Sequence, residues 1–185
     1  MKSQRRLTSR EALLEAGFRV LHHNPGASLS DIAEEAGVGR ATLHRHFSSR
    51  ELLVSELAQT AIVEMDQAVE EACRDSVSAG AALRDALTAL IPLGDRYGFL
   101  MHEPLDADEA LASEFDRQQR ETEELVVAAV EEGVFDPAVP VNWIVRSYEY
   151  LIYTAWESVR EEEVTPKQAA DLAWRTLTAG LGQSS

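Results

Sequence analysis

The chain has 185 residues, 45% of them apolar, a formal net charge of -15 and one cysteine, Cys73. That length allows one large domain or a small module joined to a medium one, and a lone cysteine excludes an internal disulfide and fits a reducing compartment. No apolar run approaches the ~18 residues of a membrane span, and MKSQRRLTSR lacks the apolar segment of a secretion signal, so a cytoplasmic protein without membrane partners is expected. The charge is unevenly spread. Residues 1–55 hold eight Lys and Arg against six Asp and Glu, leaving nine basic and 26 acidic residues in the remainder. Only the first part is electrostatically suited to nucleic acid.

Helix signals recur along the chain, and no stretch alternates as a strand would. Thr8-x-x-Glu11, Ser28-x-x-Asp31 and Ser48-x-x-Glu51 each read as a capping box, marking three helix starts. The first helix runs from about Ser9 with Leu13, Leu14, Phe18 and Leu21 on one side, and HHNPGA stops it through Pro25 and Gly26. Gly17 inside it costs about 1 kcal/mol relative to Ala, which points to close helix packing. A short second helix, Leu29 to Ala36, is broken by Gly37-Val38-Gly39 before a third from Arg40 to Phe47. Ile32, Ala33, Ala36, Val38, Leu43 and Phe47 give this pair its apolar side, in a helix-turn-helix arrangement.

On a wheel of about 100° per residue, Leu43 and Phe47 set the buried direction of the third helix and Arg45 lies opposite. Ala41 and Thr42 flank it, with His44 and His46 at the margins. Arg45 can therefore reach a guanine edge, Ala41 permits close approach, and Thr42, His44 and His46 can bond phosphates. Arg40 lies nearer the seam but in the first turn. The four histidines His22, His23, His44 and His46 lack cysteine or carboxylate partners at metal-ligand spacing, and no metal or cofactor is expected.

Ser28 to Leu53 resembles the N-terminal DNA-binding domain of the TetR family of bacterial transcriptional regulators. The resemblance rests on Ile32-Ala33, Ala36 to Val38, Thr42-Leu43, Arg45 to Phe47 and Arg50 to Leu52, and it covers about residues 7–60. It implies an all-α fold of about nine helices, with a three-helix DNA-binding domain over residues 1–54 and a ligand-binding and dimerisation bundle over 55–185. It also implies phosphate contacts from Ser28, Thr42, His44, His46 and Arg50, and base contacts from Arg40, Ala41 and Arg45. Two positions depart from the pattern. Gly39 replaces the usual serine and loses a hydroxyl cap, and His44 replaces a tyrosine, making that contact shorter and sensitive to pH.

A long helix continues from Glu51 through Leu53, Leu57, Ala61, Met65 and Val69 on one face. A further helical segment spans about Ala79 to Leu93. Pro92, Gly94 and Gly98 then lead us to expect an irregular aromatic stretch from Leu93 to Asp106. Another helix, about Glu114 to Glu132, carries an acidic face read as solvated. In Val141 to Val159 the apolar surface is wider than one neighbour covers. The last helix starts at Pro166, and the two together are expected to form half of a four-helix dimer seam, through Ile152, Trp156, Val159, Ala170, Trp174, Leu177 and Leu181. Tyr97, Met101, His102, Trp143, Tyr150 and Tyr153 are the candidate pocket residues, and acids such as Glu149 would favour a cation.

The expected function is a homodimeric repressor released from a palindromic DNA operator by a small-molecule inducer. A helical-bundle enzyme or cofactor protein is the alternative, but Glu-x-x-His pairs, HExxH and GxSxG are all absent from the sequence. A DNA-binding activator without inducer is a further alternative.

Overall fold

Nine α-helices and one 3₁₀ turn, and no strand, make up the regular structure among the described residues of the computed structural model. These are residues 7–102 and 109–181, with the side chains of Tyr97, Met101, His102 and Leu181 excluded. The helices are α1 (Ser9–His23), α2 (Leu29–Glu35), α3 (Arg40–His46), α4 (Arg50–Cys73), α5 (Ala79–Leu90), α6 (Gly94–His102), α7 (Glu109–Glu131), α8 (Val141–Arg160) and α9 (Pro166–Leu181), with the 3₁₀ turn Ile91–Leu93 leading into α6. Among the described residues no helix is long and apolar enough to cross a membrane.

The first two capping boxes form as expected. Thr8 Oγ1 accepts from Glu11 N–H at 3.2 Å while Thr8 N–H donates to the Glu11 carboxylate at 2.8 Å. Ser28 and Asp31 repeat the exchange. The third start shifts by one residue: Ser49, not Ser48, is the N-cap of α4, and its hydroxyl accepts from Leu52 N–H at 3.3 Å. Ser49 takes the extended conformation from which a hydroxyl reaches the third amide of the helix.

α1, α2, α3 and the first half of α4 share one core. Leu13, Phe18, Ile32, Leu43, Phe47, Leu53 and Leu57 are each at most 1% exposed. Gly17 is the close approach foreseen from sequence, since a Cβ there would lie 2.8 Å from Leu57 Cδ1. α4 then leaves this head and packs on α5, α6 and α7, so a single 24-residue helix, about 36 Å long, belongs to both ends of the molecule.

The stretch expected to be irregular after Leu93 is helical as far as His102. Pro92 sits in the first positions of the 3₁₀ turn, where a missing N–H costs nothing. Gly94 and Gly98 act as contact points where α6 meets its neighbours, Gly94 against Trp156 of α8 and Gly98 against His22 of α1. They do not break the helix. α6 thereby touches the N-terminal head and the C-terminal bundle together.

Candidate DNA interface and ligand cavity

The turn between α2 and α3 is built by Gly37. Its φ of +64° lets Val38 N–H reach Ala33 O at 2.9 Å and Gly37 N–H reach Glu34 O at 3.0 Å, closing α2 with a Schellman motif. No atom lies within 4 Å of a Cβ placed there, so the cost of a side chain is purely conformational. Gly37→Val is expected to lose about 1–2 kcal/mol in a urea unfolding titration while Gly37→Asn loses clearly less, because asparagine tolerates the left-handed region.

This turn sets α3 with Leu43 and Phe47 buried beneath it and Arg40, Ala41, His44, Arg45 and His46 exposed. Thr42 is half-buried. The helix carries no acidic side chain, and its N-cap Gly39 makes no side-chain hydrogen bond. Two residues assigned to phosphate by resemblance also serve the scaffold. Ser28 caps α2, and Arg50 donates to Pro25 O at 2.6 Å and Ala27 O at 3.4 Å, tying the α1–α2 loop to α4. The wheel thus places the exposed side chains of α3 correctly, while Arg50 has work inside the protein that its sequence position does not reveal.

Behind the head, α4, α5, α7 and α8 line a half-open cavity of about 440 Å³. Its apolar wall includes Val69, Leu83, Ala86, Leu90, Phe115, Leu125 and Ile152. Its polar groups are held in place. Tyr148 O–H donates to Leu83 O at 2.9 Å, and burial raises the phenol far above its usual range. Cys73 Sγ donates to Ala82 O at 3.3 Å, and burial pushes its thiol up as well. Arg117 pairs with Asp66, Glu114 and Glu121, and Gln118 donates to Asp66 at 2.7 Å, joining α7 to α4 at one end. At the other end Gln119 Nε2 donates to Glu149 Oε1 at 2.8 Å. Burial raises the Glu149 carboxyl above the ordinary glutamate value, opposed by the Gln119 hydrogen bond and the charge of Arg146. Four carboxylates, those of Asp66, Glu70, Glu121 and Glu149, face one guanidinium, that of Arg117, around this space. An organic cation suits that balance.

Of the residues proposed from sequence for a pocket, Trp143, Tyr150 and Tyr153 do not line this cavity, and Tyr150 borders a smaller hollow beside it. Trp143 and Tyr150 are 63% and 59% exposed on the outer face of α8. Tyr153 is half-buried beside His22 and Trp156, with ring centroids 5.9 and 5.7 Å away. Tyr97, Met101 and His102 fall outside the described side chains. The cavity instead uses Tyr148, Phe115 and the Gln118, Gln119 and Thr122 side of α7, a helix whose acidic surface looked wholly solvated. Glutamines and a threonine interrupting that acidic run were the available signal. The residues expected at a dimer seam are also mostly occupied within the chain: Ile152, Ala170 and Leu177 are at most 6% exposed, and Trp156 packs against Gly94 and His22. Trp174 is half-buried against Phe135, and Val159 is half-buried too. Leu181 lies outside the described side chains. Among the described residues, the large apolar side chains that α8 and α9 leave exposed are Trp143, Tyr150 and Leu172.

A basic recognition helix on a tight turn, joined by one long helix to a cavity-bearing bundle, defines a helix-turn-helix DNA-binding transcription regulator. Comparison with known proteins agrees. A family model described as bacterial regulatory proteins, tetR family, matches residues 13–57. The HTH-type transcriptional repressor LfrR of Mycolicibacterium smegmatis is 32% identical over 182 residues, which cover 98% of this chain and 94% of that protein. The chain belongs to the TetR family. The crystal structure of LfrR from Mycobacterium smegmatis in complex with proflavine superposes with a TM-score of 0.73 at 31% identity, covering 95% of this chain and 97% of that one. The fold is also that of the ketosteroid transcriptional regulator KstR2 of Mycobacterium tuberculosis, with a TM-score of 0.77 at 18% identity over the full length of both chains.

Proposed function

We propose that this protein is a cytoplasmic, homodimeric repressor that leaves a palindromic operator when a small, flat organic cation enters the cavity between α4, α5, α7 and α8. The observation that carries this reading is α4. It begins four residues after the recognition helix, and its Met65, Asp66, Val69, Glu70 and Cys73 wall the cavity, so a molecule lodged there bears directly on the helix that holds the DNA-binding head. If the ligand prefers one tilt of α4 and operator DNA another, each weakens the other's binding by the same factor.

In this reading Arg45 contacts a guanine edge, with Arg40 and Ala41 beside it at the bases, while Thr42, His44, His46 and the ends held by Ser28 and Arg50 meet phosphates. A second copy covers Trp143 and Leu172 on the exposed faces of α8 and α9. Two-fold pairing then sets the recognition helices about 34–36 Å apart, one turn of DNA. The cationic ligand is supported by the carboxylate excess of the cavity and by the similarity to LfrR, which was solved with proflavine, itself a flat aromatic cation.

Glu149 makes the reading testable by pH. A bound cation favours the ionised carboxylate, whereas burial in the free protein raises the pKa above the ordinary value. Affinity is therefore full above that raised pKa and is lost as the pH falls through it, at a higher pH than a surface glutamate would show. The other titratable groups facing this space are Asp66, Glu70, Glu121, Cys73, Tyr148 and Arg117, and Arg146 acts on Glu149 from the neighbouring hollow. Proflavine fluorescence titrations should give a weaker and pH-flat response for Glu149→Gln, by about tenfold or more at neutral pH. Proflavine also intercalates in DNA, so operator release is compared between the two proteins. Release through the cavity is lost in Glu149→Gln, whereas equal release from both would contradict the reading.

A further inference from the structure

Outside the main cavity lies a second, smaller one of about 360 Å³, lined by Gln119, Asn142, Val145, Arg146, Glu149 and Tyr150. The two spaces have two residues in common, Gln119 and Glu149, and these are hydrogen-bonded to each other at 2.8 Å. The pair thus borders both a largely apolar inner chamber and a more open outer one that reaches exposed Tyr150 and Asn142.

The chemistry of this pair differs from that of the other carboxylates around the inner chamber. Asp66 and Glu121 are paired with Arg117, and Glu70 is exposed. Glu149 is half-buried, its hydrogen bond comes from a neutral amide, and the Arg146 guanidinium acts on it through space. An amide satisfies one oxygen without neutralising the charge, so a cation with an N–H or N-alkyl centre is a better partner and displaces Gln119 at little cost. Gln119 belongs to α7 and Glu149 to α8, and rotation of either long side chain joins the chambers without moving a helix.

Resting on the cation reading of the inner cavity, we infer that the Gln119–Glu149 pair is a ligand-displaced partition, and that the preferred ligand is an elongated organic cation. Its ring system fills the inner chamber, its charged nitrogen sits at Glu149, and an apolar tail on that nitrogen extends along Val145 into the outer chamber. Specificity for tail length is then set by Asn142, Val145 and Tyr150, apart from the residues that select the ring.

The full-length protein would be titrated by calorimetry with proflavine and with acridinium ions bearing N-alkyl tails of increasing length. The ratio of tailed to tailless affinity should rise by up to about fourfold per methylene and then level off once the outer chamber is filled. Asn142→Trp, at an exposed position, narrows that chamber and should bring the ratio close to one, with circular dichroism confirming that the variant is folded. A ratio that stays flat in the wild-type protein, or a gain that persists in Asn142→Trp, overturns the two-chamber assignment while leaving the inner cation site standing. Failure of every cation to bind removes both readings together.

Discussion

Gly94→Ala is expected to destabilise this protein by about 3 kcal/mol or more, lowering its thermal midpoint by roughly 6–12 °C. Gly94 is buried at the start of α6, and a Cβ there would fall inside the van der Waals envelope of Trp156 Cβ and Cγ, atoms too close to the α8 backbone to swing away. The tryptophan ring is held as well, edge-on to His22 with centroids 4.6 Å apart and beneath the Arg160 guanidinium at 5.6 Å. The added methyl must therefore push α6 off α8. Gly180 in α9 has open space around it, and Gly180→Ala should be neutral or slightly stabilising. In a Trp156→Ala background the cost of Gly94→Ala should shrink, a non-additivity that a double-mutant cycle measures by urea unfolding. Wild-type stability in Gly94→Ala would mean that the α6–α8 contact is looser than described.

Arg96→Met should cost about 2–3 kcal/mol and should also weaken communication between ligand and DNA. Arg96 is 9% exposed, and its guanidinium meets Glu64 of α4 at 2.9 Å, Asp95 of its own α6 at 2.6 Å, and Glu15 of α1. It also lies over the Phe18 ring at 4.6 Å. Burial works against its charge, yet the three carboxylates more than offset this and keep the pKa above the usual arginine value. Removing the cation leaves those carboxylates facing one another; because Glu15 and Glu64 are about one-third exposed, solvent screens part of the loss. The same fork joins the DNA-binding head to α4 and α6 one residue from cavity-lining Met65. The factor by which proflavine lowers operator affinity should therefore fall in Arg96→Met. Arg96→Lys keeps the charge but cannot fork across three helices, and should lie between the two. Unchanged coupling in both variants would show that the head is moved through other contacts.

The head of the molecule was legible because its signals are local. A cap lies three residues from its partner, the Gly37 turn lies between two short helices, and the 100° period alone turns Arg45 away from Leu43 and Phe47. The bundle was legible only as helices. Which side of α8 meets α5 and α7, and which side is left for a second copy, depends on packing between segments 30 to 90 residues apart; Tyr148, whose hydroxyl reaches Leu83 O, reads in the sequence as one more apolar position. Glycine misled for a related reason. Gly94 and Gly98 have the composition of a break, but they are glycine because Trp156 and His22 occupy the place of a Cβ. The Gln119–Glu149 pair joins two helices 30 residues apart, and no local pattern announces it.

The most direct measurement is selection of randomised duplex DNA by the purified full-length protein, with sequencing of the bound fraction and anisotropy titration of the winners, repeated with Arg45→Ala. The wild-type protein should enrich a palindrome whose half-sites are centred about one helical turn apart, with affinity falling steeply as salt rises. Arg45→Ala should relax the preference at one symmetric position of each half-site, at about 1–3 kcal/mol per contact. An unenriched pool at low salt, or a palindrome read equally well without Arg45, would contradict recognition through the exposed face of α3.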